Sequence, residues 1–422
     1  MAPHTTLQLP FGTSYLEAQL PATNLIGIIE PRRTDQSAGE RTLIAAALQQ
    51  PIASARLRDR VHPGQRIAII ASDLTRPCPS ARLLPSVLAE LAAAGVSGQD
   101  VLIVAALGLH RRMMPTELQQ LAGRDVYRRI KVINHDPDDV LHLGTTQRGT
   151  PVEVFRPVVE ADVRICLGNV EFHYFAGYSG GAKAIIPGCA SYSTVSANHA
   201  WMVHPDAISG SHAGNPLRAD LEEAAAMVGL DFIVNVVVDD RHRILAAFAG
   251  HGIQAHRAAC DWIAMRGKVA IPELADVVIV SPGGFPKDIN LYQAHKALET
   301  AALAVRPGGI IILVAECREG LGNARFEQWI TDGLDCEALL ARIKEEFVLG
   351  GHKAAAIARV AQRAQLLLVA PALAHLSLTG LGHQASLDTA LNTAFGRLGR
   401  SARVLVLPQG ISVLPEWPPG RT

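Results

Sequence analysis

One short segment of the chain, residues 173–199, places two imidazoles and one amine around a glycine-rich turn. It begins with His173, continues through Gly177-Tyr-Ser-Gly-Gly-Ala-Lys183 and ends with His199. Glycines allow the backbone to approach a ligand closely and to adopt conformations that are closed to other residues. Lys183 has apolar neighbours, and an amine in such surroundings loses its proton more readily than an exposed one. These residue types indicate a small-molecule site in which a lysine suited to covalent attachment lies beside imidazoles suited to acid/base or metal chemistry.

The composition limits the class of protein. The chain has 422 residues, of which 49% are hydrophobic, so two domains are expected rather than one core. Lysine plus arginine equals aspartate plus glutamate, at 39 each, and only 5% of the residues are aromatic. Neither value supports nucleic-acid binding, and the balanced charge does not favour a membrane surface. Because we find no secretory signal and no apolar run long enough to cross a bilayer, we expect a cytoplasmic protein without nucleic-acid or membrane partners.

The cysteines agree with a cytoplasmic location. No two of them have CxxC spacing, so the sequence indicates neither a zinc knuckle nor a disulfide framework, and reduced thiols are expected. The six residues are Cys78, Cys166, Cys189, Cys260, Cys317 and Cys336.

Seven short apolar runs have the composition of buried parallel strands, and helical patterns separate many of them. This alternation predicts an α/β protein with two α/β domains and mostly parallel sheets. The best boundary lies near residues 267–272, which divides an N-terminal domain of residues 1–270 from a C-terminal domain of residues 271–402. We interpret the final segment, about residues 403–422, as returning to the first domain. The predicted strands are Arg66–Ala71, Val101–Leu107, Val163–Leu167, Ala275–Val280, Ile310–Val314, Leu366–Ala370 and Val404–Leu407.

Helix signals lie between these strands. Pro79-Ser80 predicts the start of a helix that ends at Ala94, before Gly95. A second helix is predicted over Thr116–Leu121, after Pro115. A third, over Ser191–Met202, carries His199.

Polar clusters follow four of the predicted strands at their carboxyl ends, where open α/β sheets bind ligands. The last cluster leads into a helix on which Gln293 and Lys296 are three residues apart and share a face. If the two domains close on each other, this face and Arg76 border one interdomain active-site cleft. The clusters are Ser72–Pro77, Gly108–Arg111, Gly168–His173 and Ser281–Asp288.

Each of these residues also has a purely structural interpretation. Asp73 can cap a turn, and Lys183 can extend to solvent. The three histidines at 110, 173 and 199 can be ordinary loop, core and helix residues, and only their joint placement favours function. The segment Asn134–Pro137 is interpreted as a turn. Histidines without such a setting are treated as background, namely His4, His142, His242, His251, His256, His352 and His375.

The glycine turn differs from two common phosphate-binding motifs. The spacing GxxxxGK[ST] is absent because Ala184 follows Lys183. The GxGxxG pattern is absent from the first strand–helix turns. Neither an ordinary NTPase nor a Rossmann dehydrogenase is supported.

Taken together, these segments resemble the nickel-dependent lactate racemase family, whose members racemise or epimerise 2-hydroxy acids. Each segment alone is weak evidence, but five in order at comparable spacing are a specific signal, and they cover most of the chain. They are Ser72–Pro77, Gly108–Arg111, His173 with Gly177–Lys183 and Pro187-Gly188, Asn198-His199, and Asn290–Lys296.

The resemblance implies a nickel-pincer nucleotide (pyridinium-3,5-bisthiocarboxylic acid mononucleotide nickel), which derives from nicotinic acid and carries two sulfur arms. By this likeness Lys183 would hold the cofactor through a thioamide, and His199 would coordinate the nickel. Asp73, Gly180 and Gly181 complete the expected cofactor-binding set. Proteins that synthesise or deliver the cofactor would then be partners.

The same resemblance implies that His110 and His173 are the two acid/base groups. Carbon 2 would be inverted by reversible hydride transfer, through a flat 2-keto acid, and each enantiomer would need its own base. The expected substrate-binding residues are Arg76, Tyr292, Gln293 and Lys296. The substrate itself stays open among lactate, malate, longer aliphatic, aromatic and sugar acids.

Two other functions stay open at this point. A zinc-dependent hydrolase would use His110, His173 and His199 together, although the sequence has no HExxH motif and no evident carboxylate base beside them. A non-catalytic carrier would bind the pincer cofactor without turning over a substrate. The carrier would leave the expected substrate-binding residues without a role.

Overall fold

The computed structural model describes residues 3–32, 38–239, 241–345 and 347–417. The described residues divide into two compact units. The first unit comprises residues 38–264, and the second comprises residues 3–32 together with residues 265–417.

Strands and helices alternate in both units. The strands are β1 (His4–Phe11), β2 (Ser14–Pro21), β3 (Leu25–Ile28), β4 (Ile67–Ser72), β5 (Val101–Ala106), β6 (Lys131–Asn134), β7 (Val140–Thr145), β8 (Pro151–Phe155), β9 (Val163–Asn169), β10 (Phe172–His173), β11 (Gly177–Tyr178), β12 (Phe232–Val238), β13 (Ile244–Gly250), β14 (Lys268–Ala270), β15 (Ala275–Val280), β16 (Val305–Val314), β17 (Gln365–Val369), β18 (Leu381–His383), β19 (Val404–Leu407) and β20 (Leu414–Glu416). The helices are α1 (Glu40–Gln49), α2 (Ser80–Ala93), α3 (Pro115–Ala122), α4 (Arg124–Tyr127), α5 (Arg156–Val159), α6 (Tyr192–Ala200), α7 (Pro216–Val228), α8 (Gln254–Gly267), α9 (Leu291–Ala294), α10 (Lys296–Ala302), α11 (Ala324–Thr331), α12 (Cys336–Glu345), α13 (Gly351–Arg363) and α14 (Leu387–Leu398).

The first unit is built on a six-stranded sheet in the order β13-β12-β9-β4-β5-β6. All neighbours are parallel except β12 and β13. The central strands are buried on both faces, which explains their continuous apolar sequences. Ser72 at the end of β4 lies opposite Ala106 at the end of β5, and Ala71 lies opposite Leu167 of β9. The segments that follow these three strands therefore leave the sheet at one edge.

The second unit is built on a fully parallel six-stranded sheet in the order β18-β17-β16-β15-β19-β3. One core cluster on it includes Leu313, Phe326, Trp329 and Ile357, and a second includes Leu7, Leu20 and Leu391. The predicted α/β class with mostly parallel sheets is confirmed.

The division of the chain differs from the expected one. Val404–Leu407 was expected to return to the N-terminal domain, but β19 lies inside the second unit's sheet, between β15 and β3. The N-terminal strand β3 belongs to the same sheet. Pairing between strands this distant in sequence depends on the tertiary fold, and no local apolar pattern encodes it.

The predicted helices are present with small differences at their ends. Ser191 caps α6 by accepting a hydrogen bond from the Thr194 amide at 3.1 Å, and a 3₁₀ turn over Trp201–Val203 follows Ala200. The helix expected to carry both Gln293 and Lys296 is broken at His295 into α9 and α10. All six cysteines are free thiols. Among the helices of the described residues, none has the length and apolarity to cross a membrane.

Candidate active site

An acid and an imidazole meet at the carboxyl ends of β4 and β5. Nδ1 of His110 lies 2.6 Å from Oδ2 of Asp73, whose side chain is buried, whereas the His110 side chain is 28% exposed. Thr75 donates both its amide and its hydroxyl to Oδ1 of Asp73, at 3.1 and 2.7 Å. Because an ionised carboxylate only accepts, Nδ1 of His110 carries the proton in this pair. The Nε2 atom of a neutral His110 is then the basic nitrogen.

The environment of Asp73 favours its ionised form. Burial acts to raise the pKa of Asp73, but the charge and hydrogen bond of His110, the charge of Arg76 and the hydrogen bond of Thr75 hold this pKa below its usual value. The Arg76 amide also donates to the Asp73 carbonyl at 3.1 Å. Asp73 was expected among the cofactor-binding groups, and the structure places its carboxylate on His110, which is 37 residues away in the chain.

The loop that carries His110 is attached to the segment that follows Lys183. The Gly108 amide donates to the Gly188 carbonyl at 2.9 Å. Gly108 has a φ of +55°, and an added Cβ would lie 3.5 Å from the Pro187 carbonyl oxygen. This contact connects two of the segments that carry the family resemblance.

The ring of Phe175 contacts three of the predicted site residues. Its centroid lies 4.5 Å from that of His173 and 5.0 Å from that of His199, and both ring pairs are T-shaped. The ammonium group of Lys183 lies 5.6 Å from the same centroid, within the range of a cation–π contact. The structure therefore brings together the residues predicted for acid/base chemistry, metal ligation and cofactor attachment. Phe175 itself was not identified from the sequence.

Two strands of two residues each, β10 and β11, flank the loop that contains Phe175. His173 of β10 lies opposite Gly177 of β11. The Ala176 amide donates to Nδ1 of His173 at 3.3 Å, so the neutral tautomer with the proton on Nε2 is favoured. Nδ1 of His173 thus accepts a hydrogen bond, whereas Nδ1 of His110 donates one.

The two glycines before Lys183 are required by packing within the protein. Gly180 has a φ of +76°, and an added Cβ would lie 2.8 Å from Oδ1 of Asn235. A Cβ on Gly181 would lie 2.8 Å from Cγ of His256, and the Gly181 amide donates to Oδ1 of Asn235 at 2.8 Å. The sequence suggested that these glycines permit a ligand to approach, whereas the contacts show them fitting the turn against β12 and α8.

Three buried side chains hold the carbonyl groups of the loop. Nδ2 of Asn215 donates to the Phe175 carbonyl at 2.9 Å, and Nε of Arg218 donates to the Ala176 carbonyl at 3.1 Å. Arg218 also donates through Nη2 to the Tyr178 carbonyl, and Nε2 of His256 donates to the Ser179 carbonyl at 2.8 Å. None of the three was identified from sequence. Arg218 has the pattern of an ordinary helix residue, and His256 was treated as background.

Arg218 is a fully buried cation. Burial lowers its pKa to about 10, so it keeps its charge at neutral pH. Glu222 lies 3.7 Å from it and also pairs with Arg257 at 2.6 Å. This network lies behind the loop and supports it from within the core.

The helix that carries His199 has its own buried anchor. Nδ2 of Asn198 donates to Oδ2 of Asp220 at 2.8 Å. Thr146 and Thr150 donate their hydroxyls to the same carboxylate, at 2.5 and 2.7 Å. Asp220 therefore attaches α6 to α7 beside the residue predicted to bind the metal.

In the second unit, the side chains of Gln293 and Lys296 meet, although the break at His295 places Gln293 in α9 and Lys296 in α10. Nζ of Lys296 donates to Oε1 of Gln293 at 2.5 Å. Asn290 caps α9 by accepting a hydrogen bond from the Gln293 amide at 3.0 Å. The ring of Tyr292 packs against Phe326 in a T-shaped contact with centroids 5.7 Å apart.

The donor set fits a metal that brings most of its own ligands. In the part of the chain that the structure describes, no group of three or more His, Cys, Asp or Glu side chains is placed to hold a metal ion. The three-histidine zinc site of a hydrolase is therefore not formed by these residues. A metal held by an organic cofactor needs only one protein imidazole, and His199, which shares the neighbour Phe175 with the amine of Lys183, fits that requirement.

Comparison with known families identifies this class of site. The family model of the lactate racemase N-terminal domain matches residues 11–210, and that of the lactate racemase C-terminal domain matches residues 271–415. The fold, the site and these matches together define a racemase, which is an isomerase. The chain belongs to the lactate racemase family.

Two curated relatives match over nearly their whole length. Lactate racemase of Thermoanaerobacterium thermosaccharolyticum is 32% identical, over 97% of this chain and 98% of the relative. Lactate racemase of Lactiplantibacillus plantarum is 30% identical, over 97% of this chain and 99% of the relative.

Solved structures agree with this assignment. The lactate racemase apoprotein from T. thermosaccharolyticum superposes with a TM-score of 0.89, over 98% of this chain and 100% of that chain, at 32% identity. A protein from Thermotoga maritima has a TM-score of 0.69 over 92% of this chain and 100% of that chain, at 17% identity, and shares the fold.

Replacing Asp73 with Asn tests the electrostatic account of the His110 pair. The pKa of Asp73 lies below its ordinary value of 3.8, so the ionised carboxylate stabilises the fold above that pH and loses this effect as the pH falls through the folded-state pKa. In urea unfolding, Asp73→Asn should therefore have a lower free energy of unfolding than the wild-type protein at pH 7, and this difference should shrink as the pH falls toward 3.5. Asp206→Asn, at a 68% exposed side chain, should change the free energy of unfolding by less than about 0.5 kcal/mol. A deficit independent of pH would contradict this account.

Two alanine substitutions separate backbone strain from close packing at the glycine turn. Gly149 and Gly180 both have positive φ, but a Cβ on Gly149 meets nothing within 4 Å. Gly149→Ala should lower the free energy of unfolding by about 1 kcal/mol through strain alone. Gly180→Ala should cost about 1–3 kcal/mol more, because the methyl group displaces Asn235 and Val170. If both variants lose the same free energy of unfolding in urea, the close contact of Gly180 with β12 does not contribute to stability.

Proposed function

We propose that this chain inverts carbon 2 of a small 2-hydroxy acid. The observation that supports this function most directly is the contact of His173, Lys183 and His199 with the single ring of Phe175. Membership of the lactate racemase family supports the same reaction class. The names of both curated relatives refer to lactate, and the substrate of this chain belongs to the same chemical class by this proposal.

We further propose that the site holds a nickel-pincer nucleotide. Lys183 would carry it covalently, and His199 would coordinate its nickel. When bound, this cofactor supplies a reversible acceptor for the hydrogen of carbon 2 together with its electron pair. The turn at Gly180 and Gly181 sets the position of Lys183, because the Gly181 amide is bound to Asn235. Cofactor-delivery partners and a cytoplasmic location stay predictions.

His110 is the proposed base for one enantiomer. Its Nε2 atom takes the hydroxyl proton while the hydrogen of carbon 2 leaves. The imidazolium that results is stabilised by Asp73, which already holds Nδ1 at 2.6 Å. Proton transfer by a positioned imidazole contributes about 10²- to 10⁴-fold to the rate.

His173 is the proposed acid/base group for the opposite enantiomer. Its buried ring is packed between Tyr174, at a stacked centroid distance of 5.3 Å, and Phe175. His173 accepts a proton at Nε2 only in the tautomer that carries its own proton on Nδ1, and forming that tautomer breaks the long 3.3 Å contact with the Ala176 amide. This packing sets the orientation of the His173 ring.

The proposed substrate contacts come from cationic and amide groups. Arg76 suits a carboxylate because its guanidinium can donate two parallel hydrogen bonds. The Arg76 amide donates to the Asp73 carbonyl, so Arg76 belongs to the same turn as Asp73, the carboxylate that binds His110. Gln293 and Lys296 would bind further substrate oxygens, with Tyr292 beside them.

The function is tested with cofactor-loaded protein and a panel of single-enantiomer 2-hydroxy acids, followed by chiral chromatography. The wild-type protein should invert at least one acid. His110→Ala and His173→Ala should each lower the rate by about 10²- to 10⁴-fold, because each removes one acid/base group. Intact mass should show that both variants retain the cofactor.

His375→Ala, at an exposed position of the second unit, is the matched control and should leave the rate unchanged. Loaded wild-type protein that inverts none of the acids would favour the carrier interpretation. Inversion at the wild-type rate by either histidine variant would contradict the proposed roles.

A further inference from the structure

The loop that carries His110 is bound by a side chain at its far end. This loop comprises residues 107–113 and leads from β5 toward α3. Oδ1 of Asn134 accepts a hydrogen bond from the Met113 amide at 3.0 Å, and Nδ2 of Asn134 donates to the Met113 carbonyl at 2.9 Å. One side-chain amide thus pairs both backbone polar groups of Met113, as a neighbouring strand would. These two bonds fix both the position and the direction of the chain at Met113.

The sheet of the first unit holds Asn134 in place. Asn134 is the last residue of β6 and lies opposite Ala105 of β5, and the His135 amide donates to the Ala105 carbonyl at 3.0 Å. The loop leaves the sheet from β5 and its far end is bound to β6, so two neighbouring strands hold both of its ends. The sequence indicated the segment Asn134–Pro137 only as a turn, because Met113 lies 21 residues away in the chain.

The two residues after Asn134 contact the same loop. His135 is fully buried. Burial lowers the pKa of His135 to about 4, against the opposing effects of Asp136 and of the Gly108 carbonyl, so the ring is neutral at physiological pH. Arg112 donates to Oδ2 of Asp136 at 3.0 Å, an exposed pair whose contribution to stability is small. The segment that begins at Asn134 therefore contacts the loop near both of its ends.

We propose that Asn134 is a positioning residue for proton transfer by His110. This inference rests on the proposed function of His110. The His110 ring is 28% exposed, and its bond from Nδ1 to Asp73 forms only when the loop backbone brings the ring to that carboxylate. Release of the Met113 end gives the loop more conformations, and the ring then leaves Asp73 for part of the time. A misplacement of about 1 Å can lower a rate by about 10²-fold.

The test measures the 2-keto acid formed in a single turnover of cofactor-loaded protein, separately from each enantiomer of an acid that the wild-type protein inverts. His110→Ala identifies the enantiomer that relies on His110 as the one whose rate falls more. For that enantiomer, Asn134→Ala should lower the single-turnover rate by about 10- to 100-fold. The rate from the opposite enantiomer, which uses His173, should stay within about twofold. Equal losses for the two enantiomers, or no loss for either, would overturn the inference.

A double variant shows whether Asn134 acts through His110. In His110→Ala protein, the additional change Asn134→Ala should leave the residual rate within about twofold, because the group that Asn134 positions is already absent. A purely structural role would lower the rate by the same factor in both backgrounds, and that result would contradict the inference. Asn134→Asp keeps an oxygen for the Met113 amide but loses the donor to the Met113 carbonyl. It should retain part of the rate, and it replaces Asn134→Ala if that variant does not fold.

Asn24→Ala is the matched control. Nδ2 of Asn24 donates to the Arg400 and Ala402 carbonyls, each at 2.8 Å, before the start of β19 in the second unit. Both Asn24→Ala and Asn134→Ala therefore remove two hydrogen bonds between a side chain and the backbone. Asn24→Ala should lower the free energy of unfolding in urea, as Asn134→Ala does, but should leave both single-turnover rates unchanged. The same enantiomer-selective loss in Asn24→Ala would contradict the role of Asn134.

Hydrogen exchange of the chain without cofactor separates this inference from the proposed function. Asn134→Ala should accelerate amide exchange in the peptide that contains residues 107–113 by about tenfold, as expected for the loss of two hydrogen bonds. Exchange in the peptide that contains residues 173–183 should be unchanged. Unchanged exchange in residues 107–113 contradicts the positioning by Asn134, whatever the outcome of the activity assay. Failure of the loaded wild-type protein to invert any acid contradicts the proposed function.

Discussion

The candidate site depends on a buried guanidinium group that holds a loop in place. Arg218 donates to the carbonyls of Ala176 and Tyr178, and the residues between His173 and Lys183 follow the path that these bonds define. Because Arg218 is fully buried and has Glu222 as its charge partner, losing either side would leave polar or charged groups unsatisfied in the core. The loop that presents Phe175 is thus held from behind by α7.

This support explains how one short segment presents several chemical groups at once. The ring of Phe175 is a common neighbour of a lysine and two histidines, so each is placed relative to the same rigid group. His110 joins them through the bond between Gly108 and Gly188 and is oriented by an ionised carboxylate. The two imidazoles proposed for proton transfer have different surroundings, one beside a carboxylate and partly exposed, the other buried between aromatic rings. A site built in this way can treat the two faces of a substrate by different groups.

Local patterns predicted a large part of this arrangement, and the reason is physical. The strands at Val101 and Ala275 are buried on both faces, so their apolar runs are visible in the sequence itself. Polar residues that follow the carboxyl end of such a strand can also be recognised in the sequence, and His110 was identified in this way.

Other features depend on contacts that are distant in sequence. The place of β19 beside β3, the bond between Asp73 and His110, and the position of His256 under the glycine turn all need the folded chain. Arg218 is the clearest case, since an arginine three residues into a helix has no local mark of burial.

The central claim is that Lys183 and His199 serve one cofactor beside Phe175. Diffraction from crystals of the loaded protein, recorded at the nickel absorption edge, tests it most directly. The account predicts one anomalous peak bound to the imidazole of His199, with electron density continuous from that metal's organic ring to Nζ of Lys183. A nickel peak away from His199, or an unmodified Lys183 in fully loaded protein, would contradict it.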